Sequence, residues 1–135
     1  MAMQMPGSDD HFMATILLID DNPEFRHEVF LCLEDAGHRV TEASSGEEGL
    51  KAFKNGAQDI VITDVVMDHG EGLETMRWIH EMAPEVPVIA ISGHQAYLKY
   101  MEKLGAARSL QKPFNASVLI HAIDEVLTGL SLGSG

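Results

Sequence analysis

The sequence predicts an α/β fold in which five strands, each followed by a helix, build one parallel sheet. Three observations predict it. Short apolar runs alternate along the chain with stretches of helical periodicity. The runs are continuous, as strands buried on both faces require. Gly, Pro or a capping residue marks most of the junctions. Right-handed crossovers between successive parallel strands then put helices on both faces of the sheet.

The elements follow in order. Thr15 to Asp20 is the first apolar run. Pro23 suits the first turn of a helix behind an Asn22 or Asp21 cap. Phe25, Val29, Cys32, Leu33 and Ala36 recur at helical spacing until Gly37. Arg39 to Ala43 is a short strand. Ser44-Ser45 followed by Glu47-Glu48 is a capping-box start, with Leu50 and Phe53 facing inward and Gly56 at the end. Asp59 to Asp64 is a second doubly buried strand. A loop from Asp68 to Gly72 leads to a helix carrying Leu73, Met76, Ile79 and Ala83 on one face, which Pro84 ends. Val86 to Ser92 is the fourth strand, Gln95 to Leu104 the fourth helix with Gly105 as its stop, and Ala107 to Gln111 the fifth strand. The last helix starts at Asn115, with Phe114 and Leu119 at the spacing of a hydrophobic staple. Leu119, Ala122, Ile123 and Val126 form its apolar stripe.

Length and composition restrict what such a fold can do. The 135 residues fit one domain, and 45% apolar residues suffice for a core. Nine Lys and Arg against 21 Asp and Glu give a net charge of −12. That argues against direct binding of nucleic acid or anionic membrane, both of which need clustered cations. Cys32 is the single cysteine, so there is neither a disulfide framework nor a thiolate metal cluster, and a reducing cytoplasm is the default compartment. The apolar runs are too short to span a bilayer. Residues 1–13 lack the features of a signal peptide and, with 131–135, read as flexible tails or cloning remnants outside a domain of residues 14–130.

In an open parallel sheet the ligand sits beyond the carboxyl ends of the strands. Those ends carry Asp20-Asp21, Asp64, Ser92 and Lys112. Each alone has an ordinary reading, as a helix cap, loop carboxylate, turn residue or surface lysine. Four strand ends bearing all of them together is the stronger observation. Three carboxylates about 4 Å apart repel by roughly 4 kcal/mol per pair at an effective dielectric near 20. A shared proton, the Lys112 ammonium or a divalent cation must offset this. An all-oxygen acidic site suits Mg²⁺. A carboxylate beside such a cation can attack phosphorus and form an aspartyl phosphate, the metal, a lysine and a hydroxyl neutralising the phosphoryl oxygens.

With these residues in place, the chain resembles the receiver domain of two-component response regulators over residues 14–130. The resemblance is carried by Ile19-Asp20-Asp21-Asn22-Pro23, Ile62-Thr63-Asp64-Val65-Val66-Met67, Glu71-Gly72-Leu73-Glu74, Val88-Ile89-Ala90-Ile91-Ser92-Gly93, and Leu104-Gly105-Ala106 running on to Lys112-Pro113-Phe114. It implies a flavodoxin-like (βα)5 sheet of order 2-1-3-4-5. It implies that Asp64 is the phosphoacceptor, and that Asp20 and Asp21 bind Mg²⁺ (or Mn²⁺), Asp21 directly and Asp20 through water. The backbone carbonyl of Val66 would complete the metal shell, while Ser92 and Lys112 would meet the phosphoryl group. The Lys112-Pro113 bond would be cis. The implied donor is a sensor histidine kinase or a histidine phosphotransfer protein. The implied response is a switch at the face of the fourth helix, fifth strand and fifth helix, including Tyr97, Tyr100, Met101 and Lys103. The output partner or domain is not specified, and the state is a monomer or a phosphorylation-linked dimer.

Two positions depart from the family pattern. Ser109 stands where a switch Tyr or Phe is usual, and Tyr97 and Tyr100 read as ordinary helix residues rather than substitutes for it. Asp68, followed by His69-Gly70, stands where the loop after the acceptor usually has Pro. The seven histidines, His11, His27, His38, His69, His80, His94 and His121, show no metal-ligand spacing and read as solvated or capping. The resemblance implies that His94, two residues after Ser92, and Val66, two after Asp64, stand at positions from which family members tune attack of water on the acyl phosphate. An apolar Val66 predicts a long-lived phosphorylated state.

Three rival classes are weaker. An aspartate-nucleophile phosphatase of the haloacid-dehalogenase type needs D-x-D, where this chain has Asp20-Asp21-Asn22. A degenerate receiver acting as a phosphorylation-independent module is disfavoured by the intact Asp64 and Lys112, although Ser109 is compatible with it. A nucleotide-binding domain lacks the glycine-rich loop after the first strand.

Overall fold

A computed structural model describes residues 13–65 and 71–129. The elements alternate as expected: β1 (Thr15–Ile19), α1 (Pro23–Asp35), β2 (Arg39–Ala43), α2 (Gly46–Asn55), β3 (Ile60–Asp64), α3 (Glu71–Met82), β4 (Val88–Ser92), α4 (Gln95–Lys103), β5 (Arg108–Gln111) and α5 (Ala116–Thr128). The strands form one parallel sheet of order β2-β1-β3-β4-β5.

Period-two alternation divides the interior into two layers. Ile16, Leu18, Ile60, Ile62, Ile89 and Ile91 point to one face, where α1 and α5 cover them with Val29, Leu33, Leu119 and Ile123. Leu17, Ile19, Val61, Val88 and Ala90 point to the other, beneath Met76 and Ile79 of α3 and Leu98 and Met101 of α4, with Leu50 and Phe53 of α2 packed alongside. The three central strands therefore read as unbroken apolar runs, whereas β2, at one edge, alternates between exposed and covered residues.

Local signals act as the sequence suggests at most ends. The Asn22 side chain accepts the Phe25 N–H and Pro23 opens α1. Ser45 caps α2 by accepting the Glu48 N–H, while the Glu48 carboxylate reaches Ser44 rather than the cap itself. Gly37 and Gly105 take positive φ at 99° and 117°, which residues with a Cβ adopt at a cost. The Lys112-Pro113 bond is cis.

Three expectations need correction. Gly72 belongs to the first turn of α3, not to the preceding loop. It lies so close to the end of β3 that a Cβ there would stand 2.4 Å from the Asp64 carbonyl oxygen. Met101 is fully buried, because it follows Leu98 by three residues and shares its inward face, so it is not part of the exposed surface of α4. His38 is neither solvated nor a cap: it is buried behind the Gly37 turn and its Nδ1 accepts the Ala14 N–H at 3.1 Å. Asn115 is the N-cap of α5, where the sequence places the helix start, and its Oδ1 accepts from the Ser117 hydroxyl. Val66, Asp68 and His69, like the tails at 1–12 and 131–135, lie outside the described residues.

Candidate functional site

The strand order fixes where the site can form. From β1 the chain crosses to β2 on one side and to β3 on the other, so the ends of β1 and β3 flank the switch point of the sheet. The register pairs Ile19 with Thr63, and carried one residue further it sets Asp20 beside Asp64. On the other side of β3, Asp64 pairs with Ile91, so Ser92 closes the adjacent strand. Ser92 in turn pairs with Gln111, and the Lys112 N–H donates to the Ser92 carbonyl at 2.8 Å. Parallel register alone thus brings Asp20, Asp64, Ser92 and Lys112 to one edge of the sheet.

The side chains converge there. Asp20, Asp21 and Asp64 each offer a carboxylate oxygen within 4.8 Å of the others. Asp20 is fully buried and Asp64 nearly so, while Asp21 is partly exposed. The Lys112 ammonium donates to Asp20 Oδ2 at 3.0 Å and to Asp64 Oδ2 at 2.9 Å, bridging two strand ends. The second oxygen of Asp20 accepts the Asn22 N–H at 2.9 Å, a turn that also starts α1.

In these contacts one ammonium is shared between two of three clustered carboxylates. Burial pushes the Asp20 carboxyl above the ordinary aspartate range, overriding the Asn22 N–H and the Lys112 ammonium, which favour its ionised form. For Lys112, burial pushes downward, but the hydrogen bonds and charges of Asp64 and Asp20 outweigh it and hold the ammonium above its usual range. The donor set fits a hard divalent cation. All three acids present oxygen, one to each position, at separations an oxygen-coordinated ion can span.

The raised Asp20 pKa has a consequence for stability. Its folded-state pKa lies above the unfolded one, so its contribution is present below the unfolded value and lost as pH rises through the folded one. Asp20→Asn keeps an acceptor for the Asn22 N–H while removing one charge. In metal-free buffer it is expected to melt higher than the parent at pH 7.5, by about 1 kcal/mol, and no higher at pH 4. A parent that is the more stable of the two at pH 7.5 would show that the acids do not repel.

The remaining candidates are placed less centrally. The Ser92 hydroxyl is buried and accepts the His94 N–H at 3.0 Å, turned toward the start of α4. His94 is exposed, with its ring edge-to-face against Tyr97 at 5.9 Å. The Ser109 hydroxyl, midway along β5, donates to the Glu102 carboxylate of α4. Tyr97 and Tyr100 are each about half exposed, at 51% and 50%.

Two residues that sequence reasoning missed touch the cluster from α1. Arg26 donates from Nη1 to the Asp20 carbonyl at 2.7 Å and from Nε to Glu42 of β2 at 2.9 Å, so a charge-assisted bond fixes the backbone of an acidic residue. An isolated arginine in a helix start that follows two acids was the available signal. Phe25 lies with its ring centroid 4.2 Å from the Lys112 Nζ. Its apolar character had signalled only a core position.

Comparison with known proteins agrees with this arrangement. The family model described as response regulator receiver domain matches residues 16–124. The transcriptional regulatory protein GlrR of Escherichia coli is 33% identical over 119 residues, covering 87% of this chain but only 27% of GlrR, about a quarter of its length. Protein PilH of Pseudomonas aeruginosa is 30% identical over 121 residues, covering 87% of this chain and 100% of PilH. Among solved structures, the response regulator protein TrrA from Thermotoga maritima, in complex with Mg(2+)-BeF, superposes with a TM-score of 0.79 at 30% identity, covering 85% of this chain and 100% of that one.

Proposed function

Because the chain belongs to the response regulator receiver domain family, we propose that residues 14–130 form a signalling receiver that takes a phosphoryl group on Asp64. One observation carries this reading. Asp64 stands among two further aspartates, and a single lysine reaches both it and Asp20. Carboxylates and an ammonium converging on one edge of the sheet provide oxygens for a hard cation and a positive charge for a phosphoryl oxygen.

In this reading Asp20 and Asp21 hold Mg²⁺ together with Asp64 and the Val66 carbonyl, Mn²⁺ being an alternative. When bound, the cation supplies the positive charge that lets a phosphoryl group approach three carboxylates. An Asp64 carboxylate oxygen attacks phosphorus. The bond from phosphorus to the donor imidazole nitrogen breaks, and the imidazole leaves with that electron pair. The donor is a phosphohistidine on a sensor histidine kinase or a histidine phosphotransfer protein. Lys112 moves from sharing two carboxylates to pairing with a phosphoryl oxygen, and the Ser92 hydroxyl turns from the His94 N–H to donate to another. Val66 offers no polar group to orient water, which favours a long-lived acyl phosphate, with His94 the companion position. The output is a population shift at the face formed by α4, β5 and α5, where Tyr97, Tyr100 and Lys103 are exposed.

Acetyl phosphate substitutes for a protein donor in the test. With Mg²⁺, intact-mass measurement is expected to show one added phosphoryl group on the parent protein. Asp64→Asn is expected to show none, and chelation of divalent ions to suppress the adduct on the parent. A parent that stays unmodified would point to a phosphorylation-independent module instead.

A further inference from the structure

The first turn of α1 does more than cap a strand-to-helix junction. Lys112 has three ammonium protons, and two are engaged by Asp20 and Asp64. The ring of Phe25 lies against the same ammonium, its centroid 4.2 Å from Nζ, within the range of a cation–π contact. Phe25 is itself held, with Phe114 packed edge-to-face on it at 5.8 Å and 84° and with Val29, Leu33 and Leu119 in the apolar layer beside it. Phe114 is two residues beyond Lys112. The backbone that carries the lysine and the helix that faces it therefore meet through two aromatic rings.

We propose that Phe25 is a positioning residue for phosphoryl uptake, holding the Lys112 ammonium at the Asp20–Asp64 end of the sheet by the face of its ring. The inference rests on the reading of Asp64 as phosphoacceptor and extends it to a residue that never touches the phosphoryl group. The choice of a neutral ring has a physical reason. Lys112 must give up a carboxylate and take a phosphoryl oxygen as the reaction proceeds. A third carboxylate beside it would compete with that transfer and add to the surplus of negative charge. A ring face attracts the ammonium about equally before and after, so it narrows the volume the lysine explores without opposing the exchange. The side chain of Lys112 is only 22% exposed, which limits how far water weakens that attraction.

Acetyl phosphate uptake is followed by intact mass at saturating donor and Mg²⁺, with urea unfolding run on the same samples. Phe25→Leu keeps apolar bulk and loses the ring, and Phe25→Tyr keeps the ring. Phe25→Met is a second ring-less variant should leucine fail to fold. The ring-less proteins are expected to label about fivefold more slowly than the parent. Phe25→Tyr is expected to label within a factor of two of the parent, and half-saturating Mg²⁺ to be the same in all. Labelling of a folded ring-less variant at the parental rate overturns the proposal. So does a tyrosine variant as slow as the ring-less ones, which would assign the effect to packing. Absence of any adduct on the parent overturns the phosphoacceptor reading itself, and this proposal with it, and is thereby distinguished from failure at Phe25 alone.

Discussion

Lys112→Ala is expected to lose about 3 kcal/mol of folding stability at pH 7.5 in the absence of divalent cations. The ammonium bonds two carboxylates that the fold holds out of water, Asp20 at 3.0 Å and Asp64 at 2.9 Å. Without it, Asp20 and Asp64 lose the ammonium they share while both still face Asp21. A proton on Asp20, whose carboxyl burial already holds above the ordinary aspartate range, can replace the lost charge, so the deficit is expected to shrink toward pH 5. Mg²⁺ is expected to restore part of it at pH 7.5 through preferential binding to the folded state. In the parent, the folded-state pKa of Lys112 is raised. The contribution of the lysine is therefore fully present at neutral pH and lost only as pH climbs through that raised value. Urea unfolding of both proteins at the two pH values, with and without Mg²⁺, reads all three effects. A variant as stable as the parent at pH 7.5 without metal would show that the acids need no compensation.

The second large effect is expected at a glycine. A Cβ on Gly72 would stand 2.4 Å from the Asp64 carbonyl oxygen and 2.5 Å from the Cα and carbonyl oxygen of Val65. All three are backbone atoms, so no side chain can rotate away. Helix propensity favours valine over glycine in α3 by only about 0.5 kcal/mol. Overpacking against backbone costs more, about 3 kcal/mol when α3 must lift from the end of β3. Gly72→Val is thus expected to be destabilised by about 2 kcal/mol or more and to label slowly, because the displaced peptide carries Asp64 itself. Gly93→Ala is the control: a Cβ there meets nothing within 4 Å, and the variant is expected to unfold with the parent. Equal urea midpoints for Gly72→Val and the parent would contradict the close approach.

The contrast between Asp64 and Gly72 shows what a sequence makes legible. The five strands announce themselves as apolar runs, and parallel pairing puts their last residues side by side, so the sequence itself groups Asp20, Asp64, Ser92 and Lys112. Charge narrowed their chemistry, because three acids at a shared edge call for a proton, the lysine or a cation; the separate roles proposed for them come from the resemblance to receiver domains. Packing between elements leaves weaker traces. Gly72 looks like a loop residue because glycine breaks helices, whereas its function is to let α3 touch β3. Met101 carries its own correction, since its spacing from Leu98 marks the inward face. His38 does not: its burial depends on the Gly37 turn bringing it to the Ala14 N–H. Arg26 and Phe25 were hidden by a different limit. Helical periodicity says which residues face the sheet, but not which of them reach past its edge to the Asp20 carbonyl and the Lys112 ammonium.

Asp64, and no other acid of the cluster, is the acceptor proposed for the phosphoryl group. Hydride reduction tests it most directly. Borohydride reduces an acyl phosphate at its carbonyl carbon, phosphate departs, and the aspartate becomes homoserine, a permanent mark at the acceptor. After incubation with Mg²⁺ and acetyl phosphate followed by borohydride, peptide mass spectrometry is predicted to find homoserine at position 64 and unaltered aspartate at positions 20 and 21. Homoserine at Asp20 or Asp21, or none at Asp64 while the intact protein carries a phosphoryl mass, would contradict the account.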